Sequence, residues 1–508
     1  MERYLGVEFG STRIKATVID ENFVPLSAGD YTWASTYENG VWTYDLSKAW
    51  DGIRNALAAL EDITHICAMG ISGMMHGYLA FDKDWNLLTP FRTWQCTITA
   101  QAAKELTDLF AFNIPQRWSI AHLYQAVLNG EEHIDRIAHI TTLAGYIHYM
   151  LTGVNAVGVG EASGIFPIDS GILDYDRDMV AKFDALVGKY SLPWKLRDVL
   201  PAVLPAGTNA GYLTEAGSSL LEGLLPSGIP FAPPEGDAGT GMTATNAIAP
   251  GTGNVSAGTS VFSMVVLEKP LSKVYREIDM VTTPSGSPVA MVHCNNCTTD
   301  SNAWVSVLGE AARLFGADPS FGQLYQKLYE KSLEGDADCG GVMVCNYLAG
   351  EGITDLDAGR PLVVRSPESR FTLANFFRAQ IYSALATLAL GMDILAQENV
   401  VIRSLTGHGG LFKTPGVGQR YLAAACNAPV TCMASAGEGG PYGMALLVAY
   451  MAKKACGESL EHYLESRVFA DVPSTVMEPV KEDVDGFRVY LDRYSGLLKV
   501  ERLAVEVM

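Results

Sequence analysis

No membrane span is expected in this 508-residue chain, since no apolar run reaches the ~18 residues that crossing a bilayer requires. The opening MERYLGVEFG lacks a basic segment followed by an apolar one, so no export leader is expected. Nine cysteines, an odd number scattered along the chain, do not make a disulfide framework, and a reduced, cytoplasmic protein is expected. Basic charge is scarce too: 36 Lys and Arg stand against 56 Asp and Glu, a net charge of −20. That sign repels nucleic-acid backbones and anionic lipid headgroups, so neither is an expected partner. An anionic ligand has to be met by local backbone amides or by a metal ion.

What is present is a large interior. Apolar residues make up 48% of the chain and charged ones 18%, which excludes a disordered tether or a fibrous repeat. Apolar β-rich runs alternate with amphipathic segments, the pattern of α/β domains. Strands are expected over 4–9, 14–19, 66–71, 255–257 and 261–266, and helices over 46–60, 99–110, 378–397 and 442–454. One design occurs twice, almost half a chain apart. GVEFGSTRIKATVI and NVSAGTSVFSMVV are each a short apolar strand, a glycine with two hydroxyl residues, and a second apolar strand. Two such hairpins, each opening one half, imply two related α/β domains facing each other.

The turns carry chemistry. Glycine lets successive N–H groups converge on an anion, and Ser11 with Thr12, or Thr259 with Ser260, adds hydroxyl donors for phosphate oxygens. Arg13 and Lys15 follow the first turn, where strand alternation also accounts for one of them as a solvated charge. Glu8, just before Gly10, is either a Mg²⁺ ligand beside the phosphate or an acid on the polar face of a strand. Asp237 follows Pro233-Pro-Glu-Gly where a helix is expected to begin, and there it is either an N-cap or a base for a sugar hydroxyl attacking phosphorus. A helix N-terminus is expected to keep it ionised. Met75 and His76, at another strand end, offer an apolar wall and a neutral ring, or a buried structural histidine. Trp94 and Gln95 offer a stacking face and an amide for a polyol, or a core tryptophan. The glycines from Gly407 to Gly410, and Gly437 to Gly440 ahead of the last expected long helix, admit a flat base or ribose, or are ordinary loops. Cys294-Asn-Asn-Cys297 has no second pair at metal-ligand spacing, so neither zinc nor redox work is expected of it.

Taken in order, GVEFGSTRIK, ISGMMHGYLAFD, LPAVLPAGTNAGYLTEAG, EGDAGTGMTATNAIAPGTGNVSAGTS, NYLAGE and GHGGLFKTPGVGQ resemble the FGGY carbohydrate kinases over nearly the whole chain. The resemblance implies an α/β fold of two actin-like (ribonuclease H-like) ATPase domains around a central cleft. Residues 1–247 would hold the sugar and the first phosphate loop, and 248–508 the nucleotide. It implies ATP as co-substrate with Mg²⁺ at Glu8 and Asp237, and Asp237 as catalytic base. Gly10, Ser11, Thr12 and Arg13, then Gly258, Thr259 and Ser260, then Gly409, Gly410 and Lys413, would bind ATP. Met75, His76, Trp94, Gln95 and Asp237 would bind the sugar, and the Met-His pair points to a ketopentose such as D-xylulose or L-ribulose. The alternatives are another ketose, a deoxysugar or polyol, or a non-catalytic sugar-binding regulator; related kinases are often dimers, which leaves room for a homodimer. Three departures stand out: Glu8 replaces the usual Asp, Trp94-Gln-Cys-Thr-Ile replaces Trp-Asn-Asp-x-Arg, and NYLAGE runs on as Gly-Ile-Thr.

Overall fold

A computed structural model describes residues 2–434 and 439–508. The chain forms two compact units, one of Met1–Ala249, Glu268–Val289 and Glu438–Val472, the other of Pro250–Leu267, Ala290–Gly437 and Pro473–Met508. Two later segments thus pack with the first unit, which a single boundary after residue 247 leaves out.

The first unit is built on five strands, β1 (Arg3–Phe9), β2 (Arg13–Asp20), β3 (Pro25–Thr32), β4 (Ile66–Gly73) and β5 (Glu235–Gly236), in the order β5-β4-β1-β2-β3. β1 pairs antiparallel with β2 and parallel with β4, and β5 adds parallel to β4. Register sets Phe9 beside Gly73 and Gly73 beside Gly236. The carboxyl ends of three neighbouring parallel strands therefore release Gly10, Met74 and Asp237 at one edge, where α/β sheets characteristically bind ligands.

Side chains alternate across the sheet. Leu5, Val7 and Phe9 share a core with Ala49, Ile53, Ala56 and Leu57 of the helix Leu46–Ala58, which starts at Asp45, whose carboxylate caps the Ser47 amide. The other face carries Gly6 and Glu8 and receives the late helix Gly439–Lys453. A side chain at Gly6 would strike the Pro441 carbonyl, and one at Gly443 the Thr240 carbonyl, so the late helix approaches the sheet, and the helix that contains Thr240, through glycine.

The second unit repeats the plan. Its main sheet includes β6 (Thr252–Ala257), β7 (Val261–Val266), β8 (Pro288–Cys294, in this unit from Ala290), β9 (Ser404–His408), β10 (Val430–Met433) and β11 (Ser474–Met477), adjacent in the order β8-β7-β6-β9-β10-β11. β6 is antiparallel to β7 and parallel to β9, as β1 is to β2 and β4. The expected repeat is a repeat of topology. The helix Leu373–Gln397 is long and apolar enough to cross a bilayer by composition, at mean hydropathy 1.4, yet it is largely buried as a core helix. Arg378 on it meets Asp483 at 2.6 Å, and Asp483 also meets Arg420 at 2.5 Å, so one buried ionic knot ties three helices together.

Candidate active site

Asp237 is the first residue of the helix Asp237–Ala244, and Gly236 is its N-cap. The carboxylate Oδ1 accepts the Met75 amide at 3.1 Å, so the side chain is tied to the end of β4. The expectation that the helix terminus keeps this acid readily ionised needs correcting. Burial, followed by the negative charge of Glu8, outweighs the backbone donors and raises Asp237 to about 6. At neutral pH it is still mostly a carboxylate, and one of more than ordinary basicity.

Glu8 is 7% exposed and lies under the start of the late helix, where a side chain on Gly440 would strike its Oε1. Its Oε2 takes Lys15 Nζ at 3.2 Å, since antiparallel register sets Glu8 opposite Lys15. Arg13 turns instead to Asp30 at 2.9 Å, with both side chains well exposed. Lys15, and not Arg13, is therefore the cation beside the carboxylates. Next to them, Ser72 Oγ and Thr240 Oγ1 hydrogen-bond at 3.0 Å. Glu8 and Asp237 fit a hard divalent cation, which binds through one or two carboxylates and completes its shell with substrate phosphates and water. Among the described residues no cluster of three or more His, Cys, Asp or Glu side chains could hold a metal by itself.

The Met75–His76 pair follows the end of β4. His76 adopts φ +73°, is buried, places Nδ1 3.2 Å from the Gly164 carbonyl and stacks on Trp118 at 6.0 Å. Burial and the nearby Arg117 charge hold its pKa well below the usual histidine value, so the ring is neutral. Trp94 is no core residue: it is 38% exposed and donates Nε1 to Ser11 Oγ at 3.1 Å. The side-chain oxygen of Gln95, Oε1, is buried without a protein partner.

Two carboxylates escaped notice in the sequence. Glu235 is buried, and its carboxylate accepts the amides of Gly236, Gly160 and Glu161, yet burial raises it to about 8. Glu161 is fully buried beside Met75 over Gly236, with no well-formed hydrogen bond on either oxygen and only the Thr142 side chain acting to favour its charge. Burial pushes its pKa well above 4.5, and the charges of Glu235 and Asp237 push the same way. The signal available was Gly158-Val-Gly-Glu161, a glycine-spaced acid, which means little until the fold sets it behind β5.

In the second unit Gly258, Thr259 and Ser260 form the turn between β6 and β7. The Gly258 carbonyl accepts Thr298 N at 3.0 Å and Thr298 Oγ1 at 2.8 Å, and the Thr259 carbonyl accepts Cys297 N at 3.0 Å. The Cys-Asn-Asn-Cys segment thus seats this loop through its backbone. Its thiols are buried and unpaired, and burial pushes Cys297 up to about 12, far from a reactive thiolate. NYLAGE anchors the segment in turn: Asn346 Nδ2 donates to the Cys297 carbonyl at 2.5 Å, and Glu351 accepts the Asn295 amide at 2.9 Å. Gly409 and Gly410 follow β9 in the neighbouring position, with Gly409 at φ +99°, where a side chain would meet the Ala257 carbonyl. Lys413 is exposed. Gly437 and Glu438 lie outside the described residues.

Two family models account for most of the chain: the N-terminal domain of the FGGY family of carbohydrate kinases matches residues 3–242, and its C-terminal domain residues 253–452. The chain belongs to the FGGY family of carbohydrate kinases. This FGGY kinase is 23% identical to a xylulose kinase of Haemophilus influenzae, over 97% of its own length and all of the relative's. Its fold is that of a ligand-bound xylulose kinase from Lactobacillus acidophilus (TM-score 0.79, 16% identity, 98% and 99% of the two chains). A gluconate kinase from the same organism matches equally well (TM-score 0.79, 16% identity, 98% of both chains). At such identities the structural likeness shows the fold alone. The FGGY kinase is a sugar kinase with two actin-like domains, as its motif order implies.

Proposed function

We propose that this FGGY kinase transfers the γ-phosphoryl group of ATP to a primary hydroxyl of a ketopentose, D-xylulose or L-ribulose, in the cytoplasm. One observation carries the reading: Asp237, with raised basicity and fixed by the Met75 amide, stands at the strand edge that also releases the Gly10–Thr12 loop. Asp237 takes the hydroxyl proton while the hydroxyl oxygen bonds to phosphorus and the bond to the ADP oxygen breaks. The Gly10 and Gly258 turns, with their hydroxyls, orient phosphate oxygens, and Gly409, Gly410 and Lys413 serve the nucleotide. Mg²⁺, held through Glu8 and Asp237, supplies charge neutralisation for the phosphates. The Met75–His76 pair, with Trp94 and Gln95, receives the sugar. The pair and the named xylulose kinase relatives favour a ketopentose.

The test is ADP release coupled to a reporter across pentuloses, hexuloses, deoxysugars, polyols and gluconate. The highest kcat/KM is expected with D-xylulose or L-ribulose. A clear preference for any other acceptor overturns the substrate, and calorimetric sugar binding without sugar phosphate favours a regulator. The raised Asp237 also fixes a pH dependence. Only its ionised form accepts a proton, so kcat/KM for the sugar should fall with acid, and the fall should begin at higher pH when Mg²⁺ is limiting, because a bound dication favours the ionised carboxylate. An acid limb that persists unchanged in Asp237→Asn removes Asp237 as the base.

A further inference from the structure

We infer that Trp33 and Tyr44 are positioning residues of the first phosphate loop, which act by occupying its carbonyl oxygens so that its amides face outward. The inference rests on the proposal that this loop holds phosphate. Every carbonyl of the turn has a protein donor. Gly10 O accepts Trp33 Nε1 at 2.7 Å, Ser11 O accepts the Tyr44 hydroxyl at 2.7 Å, Thr12 O accepts the Trp33 amide at 3.1 Å, and Arg13 O accepts the Gly10 amide at 3.0 Å.

A trans peptide unit is planar, with C=O and the following N–H pointing in opposite directions. Holding Gly10 O therefore aims the Ser11 N–H away from Trp33, and holding Ser11 O aims the Thr12 N–H away from Tyr44. Neither of these amides donates to a protein group among the described residues. An amide left free at a partly exposed turn between two hydroxyl side chains is a ready donor for an anion. The two aromatic rings hold each other in place: Trp33 and Tyr44 are buried, their ring centroids lie 4.4 Å apart, and Trp33 meets Phe9 edge-on at 6.3 Å.

The second unit reaches the same end by other means. Gly258 O and Thr259 O accept from Thr298 and Cys297, Ser260 O accepts the Gly258 amide at 2.9 Å, and the amides of Thr259 and Ser260 donate to no protein group among the described residues. There the clasp is mostly main chain. In the first unit it is two side chains, so it can be removed atom by atom. Neither side chain need touch the nucleotide.

The experiment uses the full-length protein carrying Tyr44→Phe, which deletes one hydroxyl and keeps the ring, with Trp33→Phe as a second variant. The readouts are KM for ATP and for the sugar, and calorimetric affinity for a non-hydrolysable ATP analogue and for adenosine. Losing one oriented hydrogen bond should raise the KM for ATP and weaken the analogue by roughly three- to tenfold. Adenosine affinity and the KM for the sugar should stay at wild-type values, which a general loosening of the unit would not allow. Unchanged ATP-analogue affinity in Tyr44→Phe, with the wild type binding normally, overturns the clasp and leaves the kinase reading intact. A wild type that binds no ATP analogue overturns the phosphate loop itself, and the clasp's role with it.

Discussion

Asp237→Asn is expected to lower kcat by about 10²–10⁴-fold, the range contributed by a positioned general base. Asn has the same shape and still offers an oxygen to the Met75 amide, so the end of β4 stays anchored. It cannot take a proton, and the raised basicity that burial and Glu8 give Asp237 disappears with the carboxylate. Affinity for an ATP analogue measured without Mg²⁺ should hold at the wild-type level, because the phosphate loops are untouched. Coupled ADP release, followed for both proteins at saturating ATP and sugar, measures the effect. A variant turning over at the wild-type rate would falsify the role of Asp237.

The second large effect concerns stability. Glu161→Gln should raise the thermal midpoint at pH 8 and leave it unchanged near pH 4.5. Glu161 is wholly buried, its burial outweighs the one favourable side chain, Thr142, and Glu235 and Asp237 add negative charge nearby. Its folded pKa therefore exceeds its unfolded value of 4.5. For an acid shifted upward the folded state binds the proton more tightly. The favourable contribution is complete below the unfolded pKa and is lost as pH rises through the folded one. Glu235 adds a loss of the same sign over the interval from 4.5 to about 8. Gln is neutral throughout, so the variant escapes the Glu161 share. Each unit of rise in a folded pKa costs about 1.4 kcal/mol of stability once pH exceeds the folded value, so a rise of one to two units corresponds to a gain of roughly 3–11 °C in the midpoint. Midpoints at both pH values decide it; a variant destabilised at pH 8 would mean that the negative charge itself has a partner.

The elements that announce themselves in sequence are those whose signal is local. β1, β2, β6 and β7 stand out as apolar runs bracketing Gly-hydroxyl turns, and Asp237 stands out where prolines and small residues give way to a helix. β3 does not, because alternate residues of Pro25–Thr32 are exposed and no apolar pattern marks them. Among charges, strand alternation alone cannot choose between Arg13 and Lys15. The choice is made by register with β1, which sets Lys15 opposite Glu8. Trp33 and Tyr44 look like two more aromatics, and only the turn they reach gives them a task. Glu161 is seventy-six positions before Asp237, and its isolation comes from the packing of segments that composition does not connect.

The helix Gly439–Lys453 fills one face of a sheet whose first strand begins at Arg3. On the ribosome, those early strands emerge hundreds of residues before the element that covers them. The amino-terminal portion must therefore wait, with one apolar side open to water, until synthesis is nearly finished. Such delayed closure is slow and invites mispairing or capture by chaperones. The second portion is likewise completed late, by Pro473–Met508, so neither half is a module that matures independently.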